Sequence, residues 1–574
     1  MAENDERNDS AQNENVPTEI SASADNAQKK KLTKKFKAKI AFAFVFVISA
    51  NLLFMFMMWL ISRYDGSLPF DQIWFTFKSP LAGTNKDLVG DALQTILING
   101  FSVAAIELGL YFLFAGKIKP LAKKFARYAK YSTSKFASFL RKRFFSLSTV
   151  ALILTTVIFA LAIGIPGFTV NLIVESDIIE KEYVDPNEAE IVFPEQKRNL
   201  IYIFLESMEY TYSDENVGGN ITENLIPELS KLAEENVSFY HTTEYGNGYT
   251  AKYGALPYIG TTWTAAALFA QTSGIILKVP LNFDVYGEDG NFVPGITTLG
   301  DVLHEQGYQQ SILFGSDGAF AARDVYFEQH GDFNVIDIYD LNEYDNNSED
   351  GFFENKEDYI DENGNYWRWW GCEDRYIFEY AKIEITRLAE SGQPFNFMAL
   401  TADTHFPNGF VCDLCGEEHD NQYSNVISCS SKQVYEFVEW AKEQPFYENT
   451  TIVISGDHLT MDPNFLEDID EEYVRTNYNC IINSAIDASD ELQSSRKFGT
   501  FDMFPTTLAA MGVTIKGDRL GIGTNLFSTT TKTLTEEYGY EPLFDELSKY
   551  SEFYFETFYN EKQAEEGEES SGNE

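Results

Sequence analysis

Three long apolar stretches near the amino end constrain the fold of this chain more than any other feature. They run over residues 40–62, 93–115 and 149–174, and about 20 apolar helical residues are enough to cross roughly 30 Å of hydrocarbon. The second stretch contains Asn99 and Glu107, so a re-entrant or bundle-facing helix is the alternative there. The sequence therefore predicts a membrane domain at residues 40–174 with three transmembrane helices.

The charges around these stretches predict how the chain is oriented in the membrane. Seven lysines lie within residues 29–39, and residues 117–143 contain ten Lys and Arg with no acid. Because Lys and Arg mark the cytoplasmic side, we expect the amino terminus inside and everything after residue 174 outside. The prediction is a multi-pass protein of the cell membrane. Two polar ends, the basic residues 1–39 and the acidic residues 563–574, are predicted to be disordered.

The exported part alternates apolar runs with amphipathic ones. This pattern is typical of an α/β fold with a mainly parallel sheet covered by helices on both faces. We expect a linker at 175–197, one large domain at 198–530 and a segment at 531–562 that packs on it. Predicted helices cover 225–235, 264–272, 297–306, 375–390, 432–444 and 503–511, predicted strands cover 199–205, 310–314, 395–401 and 451–455, and the acidic, Asn- and Gly-rich residues 340–365 are interpreted as a surface insertion.

The charge of the exported part excludes one class of partner. The chain has a formal net charge of −45, although its basic clusters lie within the first 143 residues. An acidic surface of this kind repels the phosphate backbone, so nucleic acid is not expected as a partner. We interpret the acidity mainly as an aid to the solubility of an exported domain.

Acidic and imidazole side chains follow two of the predicted strands at the point where each strand ends. Glu206 follows the apolar run 199–205, and Asp457 and His458 follow the run 451–455. Because the carboxyl ends of parallel strands meet at one edge of a sheet, we expect these side chains to converge. Carboxylate and imidazole groups together suit a hard or borderline divalent ion. The sequence predicts a metal site here, and the alternative for Glu206 alone is a cap on the following turn.

Thr264 is the candidate nucleophile. The segment GTTW is a predicted turn, and the segment TAAALFA that follows starts a predicted helix. A helix amino terminus exposes the hydroxyl and stabilises a bound anion such as phosphate. The alternative interpretation is an ordinary capping threonine. Since Thr261 and Thr262 lie two or three residues away, the sequence leaves open which hydroxyl would attack.

Four segments in order carry a family resemblance: NLIYIFLESMEYTY, GTTWTAAALFAQTSGI, LTADTHFPNGF and VISGDHLTM, within about 198–528. With them, the exported domain resembles the lipoteichoic acid synthase and phosphoglycerol transferase I family of the sulfatase-like alkaline phosphatase superfamily. The resemblance implies a metal held by Glu206, Thr264, Asp457 and His458, with Thr264 as covalent nucleophile. It also implies that His405 contacts the substrate phosphate or protonates a departing oxygen.

The resemblance further implies that Arg323 binds the phosphate or glycerol of the substrate, because its fork geometry suits a phosphate. Asp317, the acid near the preceding turn, is the other expected substrate-binding residue. The chain departs from the family pattern here. The synthases have a tryptophan two residues before the arginine, where this chain has Ala321, and Asp317 is shifted by one position. Glycerol recognition is therefore less well supported than the metal site.

The reaction implied by the resemblance is a two-step transfer. Thr264 attacks phosphatidylglycerol, diacylglycerol leaves, and an acceptor hydroxyl takes the phosphoglycerol from the threonine. The implied acceptor is an envelope glycan, a glycolipid or a polyglycerolphosphate chain. The implied cofactor is one divalent metal, for which Mn²⁺ is expected and Mg²⁺ or Zn²⁺ are the alternatives, because three oxygens and one nitrogen suit all three ions.

Three other functions are weighed against this one. A phosphoethanolamine transferase would share the fold, the metal and the threonine but use another head group. A true sulfatase would need Cys or Ser in a C/S-x-P-x-R context, and none of the five cysteines lies in one. A non-enzymatic envelope-binding scaffold would be expected to lose at least one metal ligand, and all are present.

Three cysteines lie close together in the exported part. Cys412, Cys415 and Cys429 fall within 18 residues, with His419 between them. A small zinc-bound loop is one interpretation. Disulfide pairing is the favoured one for an exported loop. Cys480 lies in the apolar segment NYNCIINS and is predicted to be an inert core thiol.

Overall fold

A computed structural model of the chain describes residues 41–42, 44–61, 70–79, 86–114, 150, 153–245, 248–280, 291–349, 351–462, 465, 469–470 and 472–559. The chain divides into two compact units, Met1–Ile61 with Gly90–Phe159, and Ser62–Val89 with Ala160–Glu574. The predictions for the tails at 1–39 and 563–574 and for the basic loop at 117–143 lie outside the described residues.

Two described helices are long and apolar enough to cross a membrane. They are Phe44–Ile61 and Val89–Gly109, close to the first two predicted spans. The third predicted span, 149–174, is bent: helices Ile153–Ala162 and Ile165–Asn171 meet at 63°. Gly164 adopts a positive φ of 72° and Pro166 follows in the first turn, which breaks the helix. The described residues therefore hold two candidate spans, or three if the bent pair is one span.

Glu107 in the second span has a partner on the first. Asn51 donates its side-chain amide to Glu107 Oε2 at 3.0 Å and to the Val47 carbonyl at 2.9 Å. An acid in an apolar stretch is tolerated when it faces a neighbouring helix and is hydrogen-bonded there. The contact places the acid of this stretch against the first helix, and the stretch remains a candidate membrane span as predicted.

The larger unit is built on a six-stranded sheet. Its order is β6-β5-β7-β2-β8-β9, and each neighbouring pair is parallel except β8 with β9, which is antiparallel. The strands of the unit are β1 Ile191–Val192, β2 Asn199–Leu205, β3 His241–Glu244, β4 Thr250–Tyr253, β5 Gln309–Phe314, β6 Asn334–Ile336, β7 Phe395–Leu400, β8 Thr450–Gly456, β9 Asn479–Ile482, β10 Thr514–Ile515, β11 Arg519–Leu520 and β12 Gly523–Thr524. The α/β prediction with a mainly parallel sheet is confirmed.

Helices cover both faces of this sheet. The helices of the unit are α1 Phe70–Lys78, α2 Ile165–Asn171, α3 Ile178–Glu182, α4 Pro227–Glu235, α5 Thr264–Ser273, α6 Leu299–Glu305, α7 Arg323–Gln329, α8 Ile338–Asn347, α9 Asp374–Glu390, α10 Gln422–Lys442, α11 Asp490–Gln493, α12 Met503–Ala510, α13 Leu534–Tyr538, α14 Tyr540–Ser548 and α15 Glu552–Phe558. Successive side chains of β2 enter opposite cores: Tyr202 and Phe204 pack with α5 and α12, and Ile201 and Ile203 pack with α9 and α10. Burial on both faces explains why β2 and β8 are continuous apolar runs rather than alternating ones.

Two predicted elements need correction. The helix predicted at 432–444 begins at Gln422, ten residues earlier, where Asn421 caps it by accepting the Tyr423 N–H. The surface insertion predicted at 340–365 is partly helical, because α8 starts at Ile338 under a capping box formed by Asp337 and Asp340. At the start of α10 the polar residues Ser424, Asn425, Ser430 and Ser431 are themselves buried, so the buried face lacks the apolar period that predicts a helix.

The carboxyl-terminal helices pack on the same core as α5. Leu543, Leu547 and Tyr554 are fully buried. The Tyr554 hydroxyl donates to the Ile276 carbonyl at 3.0 Å and accepts the Lys278 N–H at 3.2 Å. Residues of the segment expected at 531–562 therefore contact the stretch of chain that follows α5.

Gly456 at the end of β8 provides a test of the packing at the sheet edge. A Cβ at this position would overlap the carbonyl oxygen of Met208, whereas a Cβ at Gly318 would meet only ordinary contacts at 3.5 Å. We expect Gly456→Ala to lower the free energy of unfolding by about 3 kcal/mol, because the backbone of neither segment can move without breaking the sheet. Chemical denaturation of the full chain, with Gly318→Ala as the control, measures this. Equal stability of the two variants would contradict it.

Candidate metal centre and reaction cleft

The pairing of β2 with β8 places two acidic residues side by side. Leu205 is in register with Gly456, so Glu206 and Asp457 are the next residues of adjacent parallel strands. The Asp457 N–H donates to the Leu205 carbonyl at 2.9 Å, and the Ser207 N–H donates to Asp457 Oδ1 at 2.8 Å. Both carboxylates are buried. The convergence expected from the strand ends is present.

His458 completes a three-residue cluster. Its Nε2 lies 3.5 Å from Glu206 Oε1 and 3.5 Å from Asp457 Oδ2. Its Nδ1 lies 2.9 Å from the Leu459 carbonyl, which can only accept, so Nδ1 carries the proton. A neutral ring in this tautomer directs the Nε2 lone pair at two carboxylates, an arrangement that a cation between the three groups would stabilise.

Burial and neighbouring charges raise the pKa values of Asp457 and His458 and lower the pKa of Glu206. Burial raises the pKa of Asp457 to about 8, and the charge of Glu206 adds to the shift. Burial opposes the ionisation of Glu206, but the nearby charge of His458 lowers the Glu206 pKa overall. Burial also opposes the charged form of His458, and the two carboxylates raise its pKa. The two buried carboxylates, Glu206 and Asp457, would be stabilised by a positive charge placed between them.

Thr264 brings its hydroxyl to the same place. Its Oγ1 lies 3.3 Å from His458 Nε2 and 3.5 Å from Glu206 Oε2, at the first residue of α5. Thr261, by contrast, uses its hydroxyl locally, accepting the Tyr258 N–H and donating to the Tyr258 carbonyl. Thr262 Oγ1 is buried with no hydrogen-bond partner among the described residues. Of the three hydroxyls that the sequence left open, the structure places that of Thr264 in the cluster.

The donor set fits a divalent metal ion. Glu206, Asp457 and His458 each offer a ligand atom, and these atoms all lie within 4.8 Å of one another. Asp457 Oδ2 is buried and accepts no hydrogen bond from the part of the chain that the structure describes. With the Thr264 hydroxyl, the set comprises three oxygens and one nitrogen, which suits Mn²⁺, Mg²⁺ or Zn²⁺.

His405 lies across the cleft from this cluster. Its Nδ1 is 2.7 Å from the Phe406 carbonyl, which leaves Nε2 without the proton when the ring is neutral. Burial lowers the pKa of His405, against the raising effect of Glu206. The ring packs against Trp370 with centroids 4.7 Å apart. The lowered pKa favours the neutral imidazole, which can accept a proton at Nε2, and Trp370 lines the cleft beside it.

Arg323 forms part of the cleft wall and is held tightly. Its guanidinium donates to the Phe320 carbonyl at 3.0 Å, the Ser316 hydroxyl at 2.9 Å and the Asp317 carbonyl at 2.7 Å. Burial lowers the pKa of Arg323 to about 10, so the side chain remains cationic at neutral pH. The two residues before it, Ala321 and Ala322, have positive φ angles of 58° and 55°. This strained turn fixes where the guanidinium points.

The carboxylate of Asp317, the other expected substrate-binding residue, accepts hydrogen bonds from nearby residues. Oδ1 accepts the Ala319 N–H at 2.9 Å, and Oδ2 accepts the Tyr339 hydroxyl at 3.3 Å. The side chain shapes the turn that presents Arg323, and its role toward a substrate stays a prediction.

The cleft between these groups is small, with a cavity volume of about 30 Å³. The lining residues are Glu206, Thr264, Gly315, Ser316, Phe320, Arg323, Trp370, Leu400, Thr401, Ala402 and His405.

A buried ion pair behind the cleft was missed by the sequence reasoning. Glu209 is fully buried and forms a two-point ion pair with Arg475, whose Nε lies 3.0 Å from Glu209 Oε2. Glu209 Oε1 also accepts the Thr460 N–H at 2.8 Å. The pair thus ties the segment after Glu206 to the segment after His458. The glutamate stands within the quoted SMEYTY motif, but nothing in the sequence indicates its partner 266 residues away.

Comparison with protein families gives a match over most of the exported part. The family model described as Sulfatase matches residues 198–513. This range contains every residue of the cluster and the cleft described above.

Individual relatives match part of the chain. The chain is 31% identical over 342 residues to phosphoglycerol transferase I of Salmonella choleraesuis, covering 58% of this chain and 40% of the relative. It is 29% identical over 362 residues to phosphoglycerol transferase I of Citrobacter koseri, covering 62% and 42%. The chain thus spans about two fifths of the length of these relatives. The crystal structure of the lipoteichoic acid synthase LtaP from Listeria monocytogenes is 16% identical with a TM-score of 0.42, covering 61% of this chain and 80% of that one.

Replacing Glu209 by Gln tests the ion pair behind the cleft. The change leaves the Arg475 guanidinium without its charged partner in a buried place, so we expect a loss of about 3 kcal/mol in the free energy of unfolding. Glu190→Gln is the matched control, because the Glu190–Lys516 pair is exposed and its loss is expected to cost at most about 1 kcal/mol. Chemical denaturation of both variants measures the difference. A Glu209→Gln variant as stable as the control would show that the pair does not hold the two segments.

Proposed function

Because the chain belongs to the Sulfatase family, whose model matches residues 198–513, we propose that it is a membrane-anchored, metal-dependent phosphoglycerol transferase. In this proposal it moves glycerol phosphate from phosphatidylglycerol to an acceptor in the cell envelope. The amino terminus lies in the cytoplasm and the exported domain at 198–530 carries the reaction. Multi-pass anchoring by the apolar helices keeps that domain near its lipid donor.

One observation supports the proposal above the others: the Thr264 hydroxyl stands at the amino end of a buried helix, within 3.5 Å of both His458 and Glu206. A hydroxyl in this position is activated as a nucleophile rather than used as a helix cap. The helix amino terminus favours the negative charge of a phosphoryl group at the same point. None of the five cysteines stands in a C-x-P-x-R context, so a sulfatase reaction is not proposed.

The proposed donor head group rests on the relatives, and the cleft is compatible with it. Both relatives described above are named phosphoglycerol transferase I. The cleft offers a cationic Arg323 and an aromatic wall of Phe320 and Trp370, whose ring centroids are 5.5 Å apart. A phosphodiester can pair with the guanidinium while the glycerol lies against the rings. The acceptor is proposed as a hydroxyl of an envelope glycan, a glycolipid or a polyglycerolphosphate chain.

In the first half-reaction the Thr264 Oγ1 forms a bond to phosphorus and the bond from phosphorus to the diacylglycerol oxygen breaks. A divalent ion, with Mn²⁺ proposed ahead of Mg²⁺ or Zn²⁺, would be held by Glu206, Asp457, His458 and Thr264 and would lower the pKa of the hydroxyl. His405 takes the Thr264 hydroxyl proton at Nε2 and passes it to the departing diacylglycerol oxygen. Arg323 offsets the charge that gathers on the nonbridging oxygens.

The second half-reaction reverses these roles. The acceptor oxygen forms a bond to phosphorus, the phosphorus–Thr264 bond breaks, and His405 takes the proton of the acceptor hydroxyl. His405 then passes this proton to the threonine oxygen, which restores the Thr264 hydroxyl, and the product carries one added phosphoglycerol. The same residues act in both half-reactions, as expected for a ping-pong transfer through a covalent intermediate.

A mass measurement on the full chain tests the nucleophile and the donor together. After incubation with phosphatidylglycerol and Mn²⁺, we expect a glycerol phosphate adduct on the peptide that contains Thr264. Thr264→Ala should lose the adduct and lower turnover by roughly 10³-fold or more, whereas Thr262→Ala should keep both. An adduct from phosphatidylethanolamine alone would change the assignment to a phosphoethanolamine transferase. Full turnover by Thr264→Ala would contradict the nucleophile, and no adduct with either lipid would favour a non-enzymatic scaffold.

Arg323→Lys tests the recognition of the phosphodiester. Lysine cannot reproduce the three hydrogen bonds that fix the guanidinium in the wall, so we expect kcat/KM for phosphatidylglycerol to fall roughly 10- to 100-fold. Arg387→Lys is the control, because Arg387 is exposed and pairs with Glu384 on α9. Steady-state kinetics in detergent measures both. An Arg323→Lys variant with unchanged kcat/KM would remove Arg323 from the proposed site.

A further inference from the structure

Three cysteines of the exported unit converge outside the reaction cleft. Cys412 Sγ lies 3.6 Å from Cys415 Sγ and 3.8 Å from Cys429 Sγ. The three sulfurs all lie within 4.8 Å of one another. Cys412 and Cys429 are buried, and Cys415 is half-buried. All five cysteines are free in the structure, whereas the sequence favours a disulfide at this place.

The spacing of the sulfurs is that of a metal site. A disulfide requires an S–S distance of about 2.05 Å, well below both measured distances. In a tetrahedral zinc site with Zn–S bonds of about 2.3 Å, the sulfurs lie about 3.8 Å apart. A disulfide would also use two of the three sulfurs and give the third no role. The Cys412–Cys415 and Cys412–Cys429 distances therefore match two edges of a tetrahedron around one ion, and the third pair of sulfurs lies within 4.8 Å.

The neighbouring side chains support thiolate ligands. Gln433 is buried, and its Nε2 donates to Cys429 Sγ at 3.3 Å and approaches Cys412 Sγ at 3.9 Å. Amide N–H donors to the sulfurs are typical of the groups that surround metal-bound ligands and orient them. Within the described chain, Gln433 Oε1 has no hydrogen-bond partner although it is buried.

His419, the fourth ligand that the sequence spacing suggests, is not part of this cluster. Its Nε2 lies 3.0 Å from Ser428 Oγ, and its Nδ1 lies 3.3 Å from Glu223 Oε2. Both ring nitrogens are thus engaged elsewhere. The fourth ligand would be a water, because Gln433 already donates its amide N–H to the sulfurs.

We propose that Cys412, Cys415 and Cys429 bind one Zn²⁺ ion as a structural site separate from the centre formed by Glu206, Asp457 and His458. Three soft thiolates select zinc over magnesium or manganese, which prefer oxygen. Binding requires deprotonated thiols, so three protons leave to solvent as the Zn–S bonds form, and no oxidant is needed. This inference does not rest on the proposed transferase reaction.

The site would join two elements of the exported unit. Cys412 and Cys415 follow the segment that carries His405, and Cys429 lies in the second turn of α10. That segment is already folded back on itself, since the Phe410 N–H donates to the Asp403 carbonyl at 2.7 Å. A metal bond to α10 would fix the far end of the same segment. Its physical effect is to hold the wall of the cleft against the helix layer.

Cobalt substitution tests the proposal on the full chain. The protein is purified in detergent under reducing conditions, stripped of metal and reloaded with Co²⁺, which reports thiolate ligation by a sulfur-to-cobalt charge-transfer band. We expect this band in the wild type and in Asp457→Asn, with two metal equivalents per chain in the first and one in the second. Cys415→Ser should lose the band and one equivalent. Cys480→Ser, a buried cysteine outside the cluster, should keep both.

Two measurements on the wild-type protein test the zinc site even if Cys415→Ser does not fold. The first is the wild-type spectrum itself, since a reloaded wild type without the charge-transfer band would overturn the proposal. The second is peptide mapping of protein purified without reductant. A disulfide joining Cys412 to Cys415 or Cys429 would also overturn it, whereas zinc bound to three alkylation-protected thiols would support it.

Discussion

The parallel pairing of β2 with β8 is the constraint on which the rest of the site depends. It sets Glu206 beside Asp457 with both carboxylates buried, and His458 follows one residue later. Buried charges of one sign are costly unless a cation compensates them. Hydrogen bonds from outside the pair then fix the backbone: the Thr401 hydroxyl accepts the Glu206 N–H at 2.9 Å, and Asn477 donates to the Asp457 carbonyl at 2.8 Å. The cluster is therefore rigid before any ion or substrate arrives.

Four of the ten described non-glycine residues with a positive φ lie beside the same cleft. Ser207, Ala321, Ala322 and Trp369 have φ angles of 52°, 58°, 55° and 64°, a region that costs side-chain-bearing residues of order 1 kcal/mol or more each. Each stands next to a cleft residue or within one turn of it. Trp370, which follows Trp369, lines the cleft and packs against His405.

The strongest sequence signals concerned the centre of the sheet, and the structure explains why. β2 and β8 are buried on both faces, so their apolar runs are continuous and their ends could be placed to within a residue. The metal-site residues follow those ends directly and could be named for the same reason. β6 and β9 are three and four residues long, too short to show a period. The Glu209–Arg475 pair and the contacts of Arg323 arise from tertiary packing, for which a single sequence carries no local pattern.

One segment connects the chemistry of the cleft with the thiol cluster. At its start, Thr404 donates to the Glu206 carbonyl at 2.5 Å, and one residue later His405 faces the cleft. At its end, Cys412 and Cys415 meet Cys429 of α10. The start of the segment is thus fixed to the strand end that carries Glu206, and its end carries two of the three sulfurs. Because only six residues separate His405 from Cys412, the proposed zinc ion would hold the end of the segment that carries His405.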